Sequence, residues 1–135
     1  MLSKSKILIL ILLAAIALYP FQTTMVAERD VLVVTRAGNP IQGVLVRQSW
    51  KNYSLESSGH EEDKLTGEDG RVSFPPRTLR ANFLLRAIRP IANLLGQGVH
   101  ASFGVHTDII VLGDGTVRWN EQVEPKAGDM VFRLH

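Results

Sequence analysis

The stretch GVHASFGVHTD, residues 98–108, gathers the residue types most able to do chemistry in this chain. His100, His106 and Asp108 share even parity, so in extended backbone they fall on one face of a strand. Imidazole nitrogens and a carboxylate are what a divalent ion binds, three or four of them converging at about 2.0–2.2 Å. His60 or His135 could complete such a set. Ser102 beside His100, His106 and Asp108 also holds the residue types of nucleophile, base and orienting acid. A triad, however, is defined by geometry and not by closeness along the chain. A metal-dependent hydrolase using the His100–Asp108 stretch is therefore the alternative to carry forward. Surface or hydrogen-bonded histidines explain the same letters without chemistry, and Gly104 interrupts the extended run. No nucleotide loop, zinc-protease helix or nucleophile elbow occurs. Cysteine is absent, which removes thiolate nucleophiles, disulfides and cysteine metal sites. The expectation is a non-enzymatic protein with no metal and no cofactor.

A second set of residues points to binding. Arg71, Arg77, Arg80, Arg86 and Arg89 are followed by no acid until Asp108, while six acids crowd the segment from Glu56 to Asp69. Arg77, Arg80, Arg86 and Arg89 are the candidate binding residues, directed at a protein or at anionic lipid. The competing reading pairs these arginines with the acidic segment inside the molecule. The chain has 15 basic and 13 acidic side chains. Two of the basic ones, Lys4 and Lys6, precede a hydrophobic run, so residues 28–135 are formally neutral. That balance argues against nucleic acid as a partner.

The elements that must position these residues begin with the N-terminus. MLSKSK is a basic lead and ILILILLAAIALY, residues 7–19, an apolar run closed by Pro20. Residues 1–27 read as a signal peptide or a membrane anchor, and residues 28–135 as one domain. Met25 occupies a position where a cleavage site wants a small residue, so the run can stay as an anchor. Thirteen residues reach only about 20 Å as a helix, short of a ~30 Å hydrocarbon core.

Short strands follow. DVLVVTR (30–36) is apolar on both faces around Leu32–Val34. AGNP turns the chain into IQGVLVRQS (41–49), which Trp50, Tyr53 and Leu55 extend or follow. Residues 56–70 read as a solvated acidic loop. In LTGEDGRVSFPP (65–76), Asp69-Gly70 predicts a hairpin turn, Val72 and Phe74 alternate with Arg71 and Ser73, and two prolines stop the strand. VHASF (99–103), DIIVLG (108–113), TVRWN (116–120) and MVFRLH (130–135) complete about seven strands, with turns at 113–115 and 124–129.

One segment breaks the pattern. Within residues 77–98, Leu84, Ile88, Ile91 and Leu95 are spaced four, three and four, the stripe of an amphipathic helix. Thr78 is its expected N-cap and Gly96 its stop, with Pro90 kinking it or opening a second helix. The stripe is expected to cover one edge or face of the β structure.

GNPIQGVLVR followed by LTGEDGRVSFPP resembles carboxypeptidase regulatory-like and transthyretin-like modules. Gly43, Val44, Thr66, Asp69, Gly70, Val72 and Phe74 match by type and order. The likeness covers residues 30 to about 76 and is looser beyond. It implies a mainly β, seven-stranded Greek-key sandwich, here with a helical insertion near residues 78–96, and an accessory, adhesive or structural role in an exported bacterial protein. The combined expectation is a non-catalytic cell-envelope module on the periplasmic or extracellular face. It would bind an envelope protein or an anionic membrane surface, or give structural support; a small-ligand carrier is a further alternative.

Overall fold

A computed structural model of the chain describes residues 3–113, 116–122 and 128–134. The protein is mainly β, with nine strands and two long helices among these residues. In chain order they are α1 (Lys4–Leu18), β1 (Pro20–Val26), β2 (Arg29–Thr35), β3 (Leu45–Asn52), β4 (His60–Leu65), β5 (Arg71–Phe74), β6 (Arg77–Asn82), α2 (Phe83–Gln97), β7 (Val105–Gly113), β8 (Thr116–Gln122) and β9 (Gly128–Leu134). A single 3-10 turn spans Gly98–His100. The strands form a sheet of order β5-β2-β9, a sheet of order β4-β3-β7-β8 and a two-stranded ribbon of β1 and β6. All pairs are antiparallel except β2 with β9. The turns read at 113–115 and 124–129 fall largely outside the described residues, and His135 lies wholly outside them.

Alternation along the strands builds one buried cluster from both larger sheets. Val31 and Val33 of β2, Val72 and Phe74 of β5, and Met130 and Leu134 of β9 meet Val46 of β3 and Ile109 and Val111 of β7. Each pair is spaced by an even number of residues, so it shares a face of its strand. Arg71 and Ser73 point outward between the buried residues of β5. β2 is flanked by a strand on each side, and Val34 is buried as well as Val33; a doubly apolar strand belongs in that central position.

The residues that carried the family likeness hold this body together. Thr66 is buried; its hydroxyl donates to Ile41 O at 2.7 Å and accepts from Val44 N at 3.0 Å. Gly70 N donates to Gly67 O at 2.9 Å, and Asp69 Oδ1 accepts from Arg71 N at 3.0 Å. Gly70 has φ 71°, as its place in the turn required. The turn is not a hairpin, however. β4 pairs with β3 and β5 pairs with β2, so LTGEDG carries the chain from one sheet to the other.

Six residues of the expected acidic loop form strand β4, which pairs along β3 from Leu45↔Leu65 to Trp50↔His60. Arg47 explains how carboxylates are tolerated there. Its guanidinium lies 3.2 Å from Glu61 and 2.7 Å from Asp63 on the neighbouring strand, and opposite charges across a pair stabilise a sheet. The two hydrogen bonds from Arg47 hold the Asp63 carboxyl below its ordinary range. A depressed carboxyl contributes stability that is present above its unfolded value, about 3.9, and is lost as pH falls through the folded value. The pair is exposed, so the contribution is small. Arg47→Gln should return the Asp63 titration toward the ordinary range, and an NMR pH titration reads it directly. An unmoved Asp63 curve would show that Arg47 does not set it.

The chain departs most from expectation at the two segments read as export signal and helix. Residues 20–26 form β1, and residues 77–82 form β6, paired from Pro20↔Asn82 to Val26↔Arg77. Thr78 is therefore a strand residue and not a cap. The helix starts at Phe83, capped by Asn82, whose side-chain oxygen accepts from Leu85 N at 2.8 Å. It runs through Pro90 to Gln97 and ends at Gly98, φ 57°. VHASF is not a strand: it is the end of the 3-10 turn and an irregular lead into β7.

Candidate functional site

The ribbon sends both helices to one end of the molecule. α1 enters β1 at Pro20, α2 leaves β6 at Asn82, and those two residues are register partners. α1 and α2 touch there. α1, KSKILILILLAAIAL, is apolar around its whole circumference after the lysines, and none of its residues is buried. No helix among the described residues is long and apolar enough to cross a membrane.

α2 is amphipathic in the expected register but turned the other way. Its polar side faces the protein. Arg86 donates to Ala81 O at 3.2 Å, to Phe21 O at 3.4 Å and to Thr23 Oγ1 at 3.0 Å, with its guanidinium 4.4 Å above the Phe21 ring. Asn93 Nδ2 donates to Tyr53 O at 2.8 Å. The stripe that was expected to cover the β structure faces away from it: Leu84, Ile88, Ile91 and Leu95 are all exposed, Ile88 at 53% and Leu95 at 82%. Ordinary surface helices bury the apolar side and expose the polar one. The spacing of residues reveals that a stripe exists, not which side of the helix meets the body.

The four candidate arginines separate into two kinds. Arg77 is built into the molecule: Nε donates to Gln48 Oε1 at 2.9 Å, Nη2 bonds to Glu62 Oε2, and the guanidinium stacks 4.1 Å over Trp50. The intramolecular pairing of arginine with the acidic segment is thus realised at Arg77. Arg86 fastens α2 to β1, as above. Arg80 on β6 and Arg89 on α2 are exposed and make no ion pair or side-chain hydrogen bond among the described residues. Those two remain available to a partner.

The His100–Asp108 set is only partly assembled. His106 and Asp108 lie on the outer face of β7, opposite Lys51 and Ser49 of β3. Ser49 Oγ donates to Asp108 Oδ2 at 3.3 Å, and His106 packs edge-on against Tyr53, ring centroids 4.9 Å apart. They line an open groove of about 420 Å³ with Trp50, Lys51, Tyr53 and His60. His100 sits in the 3-10 turn and Ser102 in the irregular lead, both exposed and off this strand. His60 instead stacks on Trp50, centroids 5.4 Å apart, and bonds to Glu56 at 2.8 Å. Among the described residues no three histidine, aspartate or glutamate side chains are grouped to hold a metal ion.

The residue-by-residue reading missed the strand β1 and the exposed aromatic cluster at the helix junction. An apolar groove of about 500 Å³ opens there, lined by Leu13, Ile16, Ala17, Tyr19, Phe21 and Phe83. The signal was present in TTMV, whose Met25 and Val26 are buried, but it was masked by the apolar run before it. No protein-family model matches the chain, and no curated protein matches it.

Proposed function

We propose that this chain is a non-catalytic module of the cell envelope. An uncleaved α1 holds it at the membrane, and the β body on the periplasmic or extracellular side binds a protein or supports an assembly. The observation that carries this reading is that the buried core draws on β2, β3, β5, β7 and β9 and on neither helix. No residue of α1 belongs to that core, and none is fully buried. The pairing of β1 with β6 supports retention of α1: cleavage at Ala27 would remove the partner strand of β6 and uncover it. Setting the ribbon aside leaves seven strands in sheets of three and four, and the seven are proposed to form a Greek-key sandwich of the carboxypeptidase regulatory-like, transthyretin-like plan. The open groove beside His106 and Asp108 favours a second reading, a carrier of a small ligand.

The full chain should sediment with membranes at its complete mass of 15.0 kDa. Replacing Leu10 and Leu12 by Asp together should release it, since a charge at the centre of an apolar helix costs about 2.5–3.5 kcal/mol per residue. A soluble wild-type product shortened by the mass of residues 1–27 would reject the anchored reading.

A further inference from the structure

We infer that α2 and the adjoining ribbon are a second membrane contact: an interfacial docking surface for an anionic bilayer, which lays the β body against the leaflet that holds α1. This rests on the anchored reading above and goes beyond it, because a tether by itself specifies neither the orientation of the body nor the lipid.

Three observations select a bilayer as the occupant. The first is the inversion of α2. Its polar side chains Arg86 and Asn93 are spent on the protein, which leaves the apolar side outward with Val99 and Phe103 exposed just beyond it. A contiguous apolar surface of that kind marks a contact site. The second is continuity with α1. α1 is apolar all round and unburied, and a helix of that kind belongs in a protein core or in a bilayer; the described β body offers it no core. The groove between the two helices, about 500 Å³ and lined almost wholly by apolar side chains, is open to acyl chains, and Tyr19 at its rim is of the type that gathers at membrane interfaces. The third is charge. α1 and β1 (residues 4–26) and β6 and α2 with the turn after it (residues 77–104), which build this end, contain no aspartate or glutamate. Arg89 on α2 and Arg80 on β6, the strand that leads into α2, are exposed and make no ion pair among the described residues. A helix of fifteen residues with one broad apolar side and basic flanks lies in the plane of the interface and favours anionic head groups.

The chain has no cysteine, so a single introduced thiol places a probe without background. The full chain is reconstituted into vesicles of phosphatidylcholine alone or with phosphatidylglycerol. A polarity-sensitive fluorophore is attached at Leu12→Cys in α1, Leu95→Cys on the outward side of α2, or Ser73→Cys on the β body. On the anionic vesicles the Leu95 probe should be quenched by a bilayer-soluble quencher and shielded from an aqueous one, and the Ser73 probe should show the reverse. Arg80→Gln with Arg89→Gln should lower the docked fraction at Leu95 roughly tenfold in equilibrium constant at low salt, and less at about 0.15 M, where the Debye length is ~8 Å. All sites are exposed, and circular dichroism checks that each variant keeps its fold. A Leu12 probe in the bilayer with the Leu95 probe in water on both vesicles overturns the docking surface and leaves the anchor standing. Both probes in water overturn the two together. A Leu95 probe that is equally docked on both vesicles, with and without the arginines, overturns the anionic selectivity.

Discussion

Gly70→Val should lower the unfolding free energy by about 3 kcal/mol or more, a large part of the ~5–15 kcal/mol that holds a domain of this kind folded. Two effects combine. Gly70 has φ 71°, a conformation that costs an ordinary L-residue roughly 1–2 kcal/mol and a β-branched one more. A Cβ there would also lie 2.6 Å from Val33 O and 2.8 Å from Pro40 Cβ. The first is backbone and is already fixed, because Val33 O accepts from Ile41 N at 3.0 Å. Neither neighbour can yield without disturbing the strand that carries Val33, and overpacking of this kind adds about 1–3 kcal/mol. Gly38→Ala separates the two effects. Gly38 has φ 91° with nothing within 4 Å of an added Cβ, so it pays the backbone cost alone. Urea denaturation of the detergent-solubilised chain measures both. Equal midpoints for the two variants would show that the close approach at Gly70 is not felt.

Phe74→Ala should cost about 3–5 kcal/mol, and Ile88→Ala within about 0.5 kcal/mol of nothing. Phe74 is 0% exposed and belongs to the buried cluster shared by the two larger sheets. Its removal leaves a cavity among Val, Ile and Met side chains that the flanking strands cannot collapse. Ile88 is on the outward side of α2, so shortening it removes little that folding buries. The contrast discriminates between two placements of one stripe. A stripe packed against the β body would make Ile88→Ala cost several kcal/mol in detergent, while a stripe facing outward leaves the fold untouched. A loss of stability at Ile88 comparable to that at Phe74 would mean that α2 packs inward.

Local periodicity carried much of the body. The period of two in RVSF, the apolar run of DIIVLG and the Asp-Gly turn before RVSF are backbone facts written in neighbouring residues, and β5, β7 and the Gly70 turn are where those patterns put them. The helical stripe is likewise a property of one segment, so its existence was legible. β4 was not. HEEDKL has no apolar alternation, and it is a strand through its pairing along β3, ten to twenty residues away, where Arg47 meets its carboxylates.

The largest differences came from partners distant in sequence. Arg77, Arg80, Arg86 and Arg89 look equivalent in the chain. Gln48, Glu62 and Trp50 take Arg77, and Phe21 and Thr23 take Arg86. Only Arg80 and Arg89 stay available, which no spacing rule distinguishes. His100 and His106 share parity in the sequence, but a 3-10 turn ends the parity before the strand begins. By itself the sequence determined that this is a cysteine-free, mainly β chain with an apolar N-terminal helix, an Asp-Gly turn and an amphipathic helix, because each of those follows from contacts a few residues apart. Tertiary structure alone decided that β1 pairs β6, that both helices meet at one end, and that α2 turns Arg86 inward and its leucines out. A helix's hydrophobic period says that it has two faces; only the groups that satisfy Arg86 and Asn93 say which of them meets the protein.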